Sequence, residues 1–245
     1  MLRQNPMFSG GETSPLLEMV NGARSAALKS EMYRARLDET TPVVLGLGLR
    51  GLIDGWGGPE WYIDKNRAWL SEWDLLSGLF DPPKVVIMVR DPRGICASLE
   101  KRMRRHGVEM DPVMQPTIDE RVLNWMTQGV VGISLKLVFE SVKRGFITSC
   151  HVVRAEDLTQ SPGEVLQGIY RYIEKPLYDH DMEFVDQVIY EHDIAYGMRG
   201  LHDIKNTICP IAEDFVEVLG EDVCARLRAN NSWFYDLFYP DRQWQ

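Results

Sequence analysis

Residues 84–98 read KVVIMVRDPRGICAS, and this stretch decides the fold. The continuous apolar run Val85–Val89 is rich in β-branched residues and indicates a strand buried on both faces, as in a parallel sheet. Asp91 is typical of a helix N-cap, and Pro92 suits the first helical position. From Ile95 onward, apolar residues recur every fourth position and indicate an amphipathic helix. The stretch therefore predicts a strand, a tight turn and a helix.

A second unit of the same kind lies further along the chain. Ile147–Val153 is predicted to be a strand, Arg154–Leu158 a loop, and Ser161–Glu164 a capping box that opens a helix to Ile173. Between the two units, Ile118–Lys143 has the apolar pattern of one long helix. Strands that alternate with long helices predict an α/β fold with a mainly parallel sheet.

Composition limits the function classes. The chain has 245 residues, enough for one sizeable domain, and we expect a single domain over residues 1–245. Its net charge of −9 argues against a general nucleic-acid or anionic-membrane binder, but it leaves room for one small basic pocket. No apolar run approaches the roughly 18 residues of a membrane-spanning helix. We expect a soluble cytoplasmic protein that binds neither nucleic acid nor membrane.

The four cysteines and five histidines do not predict a metal site. The cysteines lie far apart and form no CxxC pair, and the histidines are scattered along the chain. We therefore expect the cysteines to be reduced and the protein to bind no metal.

Arg90 is the most informative charged residue, because it stands where a strand gives way to a helix. Ligands of parallel sheets bind at such ends, and a guanidinium binds phosphate oxygens in a bidentate way. Ser98 can donate from the helix, but it lies about 9 Å along the axis from Pro92, so Arg90 would have to fold back. An ion pair from Arg90 to a carboxylate fits the residues equally well. The basic run Lys101–His106 is interpreted as a solvated helix end, with contact to an acidic acceptor as the alternative.

Three further motifs are weaker signals. Gly46–Gly51 fits GxGxxG, but its leucines fall at helical spacing, so a glycine-bearing helix is favoured over a nucleotide loop. The loop Ser9–Ser14 lacks a basic residue and carries Glu12, which favours a turn that caps the next helix over an anion cradle. Lys65 and Arg67 would reach a ligand crevice if Tyr62 and Ile63 end a strand, and otherwise belong to an ordinary charged loop.

The opening stretch resembles the 3′-phosphate-binding segment of the sulfotransferase family. In that family an arginine ends the strand and a serine follows eight positions later, and Arg90 and Ser98 match that spacing. Asp64–Arg67 stands where the family often has an Asp-Lys pair. Val152–Leu158 is similar to a family strand and helix, and Gly200–Lys205 lies where a basic loop closes over the donor. The likeness runs from residue 1 to about residue 205.

The resemblance implies a three-layer, P-loop-NTPase-like α/β fold whose central sheet is flanked by helices. It also implies in-line transfer of a sulfuryl group from 3′-phosphoadenosine-5′-phosphosulfate to a hydroxyl or amine of a small molecule or peptide. Arg90, Ser98 and Lys205 would bind this donor. Lys65 would stabilise charge on the leaving phosphate oxygen, and Asp64, Glu12 and His202 are candidates for the general base.

The N-terminus departs from the family pattern. The family opens with a strand and a Pro-Arg-Ser-Gly-Ser-Thr-like loop that holds the 5′-phosphosulfate, whereas Leu2–Phe8 resembles the helix that follows this loop. We therefore expect the first strand to be missing. This departure keeps an alternative open, namely a catalytically impaired sulfotransferase-like protein that binds a nucleotide or serves as an interaction module. A P-loop kinase relative is disfavoured because GxxxxGK[ST] does not occur in the sequence.

Overall fold

The computed structural model describes residues 1–11, 15–29, 31, 46–49, 51, 61–106, 117–185 and 206–241. The described chain is α/β, and its strands pair in parallel, which confirms the coarse fold class. Its strands are β1 (Phe8–Gly10), β2 (Trp61–Ile63), β3 (Val86–Val89) and β4 (His151–Arg154). Its helices are α1 (Leu16–Lys29), α2 (Trp73–Leu79), α3 (Pro92–His106), α4 (Ile118–Thr127), α5 (Val130–Lys143), α6 (Ala155–Gln160), α7 (Pro162–Tyr172), α8 (Phe215–Leu219), α9 (Glu221–Asn230) and α10 (Ser232–Phe238).

The chain divides into two compact units. The first contains Met1–Val85 together with Tyr172–Asp181, and the second contains Val86–Arg171 together with Met182–Gln245. Each unit holds one two-stranded parallel sheet among its described residues, formed by β1 and β2 in the first and by β3 and β4 in the second.

The N-terminal strand corrects the expectation of a helix over Leu2–Phe8. Only Leu2–Gln4 forms a single 3-10 turn, and Phe8 begins strand β1, which is followed by helix α1. Strand β1 thus begins at the end of the segment that was expected to be helical. Phe8 is buried and packs edge-on against Trp61 of β2, with ring centroids 4.9 Å apart. A three-residue strand is too short to show a period of two, so sequence pattern did not identify it.

Gly10 is required at the end of β1. Its φ is +75°, and a Cβ at this position would lie 2.1 Å from the carbonyl oxygen of Ile63 on the neighbouring strand. Only glycine tolerates both the left-handed conformation and this close approach. A small apolar cluster of the first unit contains Leu16, Val20, Leu49 and Leu75. Residues 46–49 are helical, as the helix interpretation of the glycine motif predicted.

In the second unit, β3 and β4 run side by side with Val86 opposite His151 and Val89 opposite Arg154. The residues that follow both strands therefore emerge at the same edge of the sheet. Met88 is 50% exposed, so the prediction that this strand is buried on both faces is wrong. An apolar run does not distinguish a one-sided strand from a two-sided one when both faces carry aliphatic residues.

Helix α3 buries its apolar face in the main core of the second unit. Cys96, Leu99 and Met103 of α3 are buried there, and Ile95 packs against the same cluster. The predicted cap is confirmed, because Asp91 Oδ1 accepts the backbone N–H of Arg93 at 2.9 Å. The partners of α3 in this cluster come from α4, α5, α8 and α9, namely Val122, Trp125, Val131, Val218, Leu219, Val223, Cys224 and Leu227.

The predicted long helix over residues 118–143 is instead two helices, α4 and α5. Gly129 precedes α5 with φ −82° and ψ 179°, which breaks the helical backbone. Gly132 then approaches α4 so closely that a Cβ would lie 2.0 Å from the carbonyl oxygen of Met126.

The segment Ile118–Lys143 as a whole is long and apolar enough to cross a membrane by length and composition, contrary to our expectation. Within its most apolar 18 residues, 22% are buried inside the protein.

Two boundaries near β4 also differ from the prediction. Phe146–Ser149 forms a 3-10 helix before the strand, so residues 147–149 are not part of it. Ala155–Gln160 forms helix α6 where a loop was expected. Helix α7 begins at Pro162 as the sequence predicted, directly after Ser161.

Candidate anion site on helix α3

The junction of β3 and α3 is held by a buried carboxylate. Asp91 is 2% exposed and accepts hydrogen bonds from the Arg93 backbone, from the Arg93 guanidinium (Nη2 to Oδ2, 2.7 Å) and from the hydroxyl of Tyr235 at 2.8 Å. The Arg93 guanidinium also lies over the ring of Phe215, 4.2 Å from its centroid. These contacts give Arg93 a structural role, although it adjoins the predicted site.

A second carboxylate occupies the same junction. Glu156, in the first turn of α6, accepts the backbone N–H of Asp91 at 3.1 Å and the hydroxyl of Tyr239 at 2.9 Å. Pro92 has no N–H, and the Arg93 N–H already bonds to Asp91. Carboxylates of the protein thus accept the N–H groups of Asp91 and Arg93 at the start of α3.

Arg90 lies beside this junction and, unlike Asp91 and Arg93, has no partner among the described residues. Its Nε atom is buried, and no residue that the structure describes accepts a hydrogen bond from it or forms an ion pair with its guanidinium. Burial lowers the pKa of Arg90 below the ordinary arginine value; the charges of Glu156 and Tyr239 oppose this effect, and that of Arg102 adds to it. Arg90 is thus a half-buried cation with an unsatisfied donor, which is energetically unfavourable without a ligand.

The Arg90 side chain lies against the first turn of α3. A Cβ built on Gly94 would lie 3.5 Å from Nε and 3.7 Å from Nη2 of Arg90, so the guanidinium rests on the helix at Gly94. Ser98 follows Gly94 by four residues and therefore lies on the same face, one turn further. Ser98 is half-buried, and its hydroxyl has no hydrogen-bond partner within the described part of the chain.

Arg154 ends β4 and, unlike Arg90, is paired with carboxylates of the protein. Its Nε donates to Asp157 at 2.6 Å and its Nη1 donates to Asp241 at 2.9 Å, so its charge is balanced. It borders a cavity of about 230 Å³ with an excess of carboxylates. The cavity is lined by Arg154, Glu156, Asp157, Gln160, Pro210, Ile211, Glu213, Tyr239 and Asp241. This lining repels phosphate.

The other predicted residues lie in the first unit or outside the described residues. Asp64 and Lys65 directly follow β2, which confirms that Tyr62 and Ile63 end a strand. The Asp64 carboxylate accepts the indole N–H of Trp69, and the Lys65 side chain is exposed. Lys205, His202 and Glu12 lie outside the described residues. In the described ranges, no three His, Cys, Asp or Glu side chains are grouped to hold a metal ion.

Sequence reasoning missed Glu156 and Tyr239 at this site. Glu156 was taken as part of a loop, and only its position two residues after a parallel strand could have indicated a role at the sheet edge. Tyr239 carried no sequence signal, because it lies 83 residues from the carboxylate it binds.

Comparison with known proteins adds no assignment. No protein-family model matches the chain, and no curated protein matches it. The resemblance to the sulfotransferase family therefore stays a prediction that depends on residues of the chain itself.

Proposed function

We propose that this protein is a sulfotransferase that binds 3′-phosphoadenosine-5′-phosphosulfate through Arg90 and Ser98 and transfers its sulfuryl group to a hydroxyl or amine. One observation carries the proposal, namely the half-buried Arg90 guanidinium with an unpartnered Nε donor. The three-layer, P-loop-NTPase-like fold is part of the same proposal.

The surroundings of Arg90 favour a ligand over an internal ion pair. Two carboxylates act on the charge of Arg90, those of Asp91 and Glu156. Both already accept hydrogen bonds from other donors. A buried donor without a partner destabilises a protein by about 1–3 kcal/mol. A phosphate oxygen would satisfy Nε and would balance the charge of the guanidinium.

Ser98 fits the same ligand. Its hydroxyl stands one helical turn beyond Gly94, on the face over which Arg90 folds, and it can donate to a second phosphate oxygen. The proposed phosphate site therefore lies on the side of α3, between Gly94 and Ser98. The helix end itself is occupied by Asp91 and Glu156.

The family resemblance supplies the transfer step. The donor contributes the sulfuryl group: a bond forms between sulfur and the acceptor oxygen or nitrogen as the bond from sulfur to the 5′-phosphate oxygen breaks. Lys65 is proposed to stabilise the charge left on that phosphate oxygen, and Asp64 to receive the acceptor proton. Lys205 is proposed as a further donor-binding residue. The product left by the donor is adenosine 3′,5′-bisphosphate.

The alternative of a catalytically impaired relative remains a second proposal. It rests on the expected absence of the loop that holds the 5′-phosphosulfate; strand β1 precedes helix α1, but residues 12–14 between them lie outside the described residues. Transfer and impaired binding are separated by the assay below.

Calorimetric titration with adenosine 3′,5′-bisphosphate tests the proposal. Arg90→Gln should weaken binding by about 30-fold, the equivalent of about 2 kcal/mol for a lost charged hydrogen-bonded contact. The matched control is Arg105→Gln on the same helix, whose side chain is exposed, and it should change affinity less than twofold. Equal affinities in wild type and Arg90→Gln would overturn the site. Transfer of labelled sulfate from the donor to a panel of alcohols and amines then tests activity, and tight product binding without any transfer would favour the impaired alternative.

A further inference from the structure

Arg102 of helix α3 also has no partner among the described residues, and it is half-buried on the face that holds Gly94 and Ser98. Arg102 follows Ser98 by four residues, so Gly94, Ser98 and Arg102 form a single row along the helix. This row borders the apolar face of Cys96, Leu99 and Met103 that is buried in the core. Arg102 is half-buried, and none of the described residues forms an ion pair or hydrogen bond with it.

Lys101 and Arg104 of α3 are paired within the protein, and Arg105 is exposed to solvent. Lys101 is paired with Asp214, and Arg104 donates to Glu100 at 2.8 Å and to the carbonyl of Val218 at 2.8 Å. The charges of Lys101 and Arg104 are therefore neutralised within the protein, whereas the basic run was expected to be solvated. The charge of Arg102 is not neutralised by an ion pair with any described residue.

The direction of the side chains brings the two unpartnered arginines toward each other. Long side chains on a helix extend back toward its N-terminus, so Arg102 extends toward the turn of Ser98. Arg90 enters from the opposite end and rests at Gly94. The two guanidinium groups interact, since the charge of Arg102 contributes to the lowered pKa of Arg90. Two like charges on one helix face destabilise the protein unless an anion lies between them.

We propose that Arg102 is a phosphate-binding residue that, with Arg90 and Ser98, makes this site select a terminal phosphate monoester in its doubly charged form. The identity of the nucleotide in this proposal rests on the proposed function. Arg102 then makes the site prefer a nucleotide with a 3′-phosphate over one without it. Two guanidinium groups and one hydroxyl match the two charges and three oxygens of such a phosphate. A ligand without this phosphate has no group that accepts a hydrogen bond from Arg102.

The test compares two nucleotides that differ only in the 3′-phosphate, adenosine 3′,5′-bisphosphate and adenosine 5′-monophosphate, by calorimetry on the full chain. Arg102→Gln should weaken bisphosphate binding about tenfold and leave monophosphate binding within twofold. Arg102→Lys retains the charge without the planar fork and should recover part of the loss. Arg105→Gln, one turn further along, should change neither affinity by more than twofold.

The outcomes separate this inference from the proposed function. If wild type prefers the bisphosphate and Arg102→Gln keeps the full preference, or if Arg105→Gln loses as much as Arg102→Gln, the role of Arg102 is overturned while the proposed function stands. If wild type shows no preference between the nucleotides but binds inorganic phosphate through Arg102, the proposed function fails and the phosphate site stands. Absence of binding to all three probes would overturn both.

Discussion

Replacement of Arg121 by leucine tests the buried charge network that supports helix α3. Glu100 is 1% exposed, and its carboxylate accepts two hydrogen bonds from Arg121, at 2.7 and 2.8 Å, and one from Arg104 at 2.8 Å. Removal of one partner from a buried ion pair destabilises a protein by about 3–5 kcal/mol. Because Arg104 keeps its bond to Glu100, we expect a loss near the lower limit, about 3 kcal/mol in the free energy of unfolding.

The matched control is Arg226→Leu, which removes an ion pair to Asp119. Both side chains of that pair are more than half exposed, so we expect a loss of no more than about 1 kcal/mol. Urea titration at neutral pH, followed by tryptophan fluorescence, measures both variants against wild type. If Arg121→Leu destabilises the protein no more than Arg226→Leu does, the assignment of Glu100 as a buried, ionised hub is wrong.

The same pair predicts a pH dependence with a definite sign. Burial alone would raise the pKa of Glu100, but the hydrogen bonds from Arg121 and Arg104 outweigh it and hold the pKa below the usual glutamate value. The stabilisation by this carboxylate is therefore complete above the unfolded pKa of about 4.3 and is lost as the pH falls through the lower folded value. The difference between wild type and Arg121→Leu should shrink below about pH 4.3. A difference that stays constant down to pH 3 would contradict the sign.

Two further predictions concern the helix break and the transfer step. Gly132→Ala should destabilise the protein by about 2 kcal/mol or more in urea titration, because its Cβ would lie 2.0 Å from the carbonyl oxygen of Met126. Gly163→Ala, where a Cβ meets nothing within 4 Å, should leave stability unchanged or slightly increased, and equal effects of the two would refute the close approach. Lys65→Ala should lower kcat for sulfate transfer by about 100-fold and leave the Kd of the bisphosphate within twofold. A loss of binding without a loss of kcat would remove Lys65 from the transfer step.

The local signals of the sequence were reliable where a single short stretch decides the structure. Val85–Val89 and the pair Asp91-Pro92 predicted β3, the cap and the start of α3, because each of these depends on adjacent residues. Residues 118–143 show the limit of this reasoning. Their apolar pattern continues through Gly129, but close packing at Gly132 and an extended backbone at Gly129 divide the segment, and periodicity does not record either effect.

The candidate site was predictable only in part for the same reason. The position of Arg90 follows from the end of a strand, and the possible alignment of Ser98 follows from helical spacing. The carboxylates that fill the helix end are held by residues far along the chain: Tyr235 lies 144 residues from Asp91, and Tyr239 lies 83 residues from Glu156. No spacing rule connects such partners, so the sequence did not predict which carboxylates occupy the start of α3.

The central claim is that the buried Nε–H of Arg90 donates to a ligand phosphate. The most direct measurement is the ¹⁵N–¹H resonance of this group, identified by its disappearance in Arg90→Gln and followed during titration with adenosine 3′,5′-bisphosphate. We expect the Arg90 signal to shift downfield and to become protected from exchange with water at saturation, while the Arg105 signal stays unchanged. An unchanged Arg90 signal in a protein that calorimetry shows to be saturated would contradict the claim.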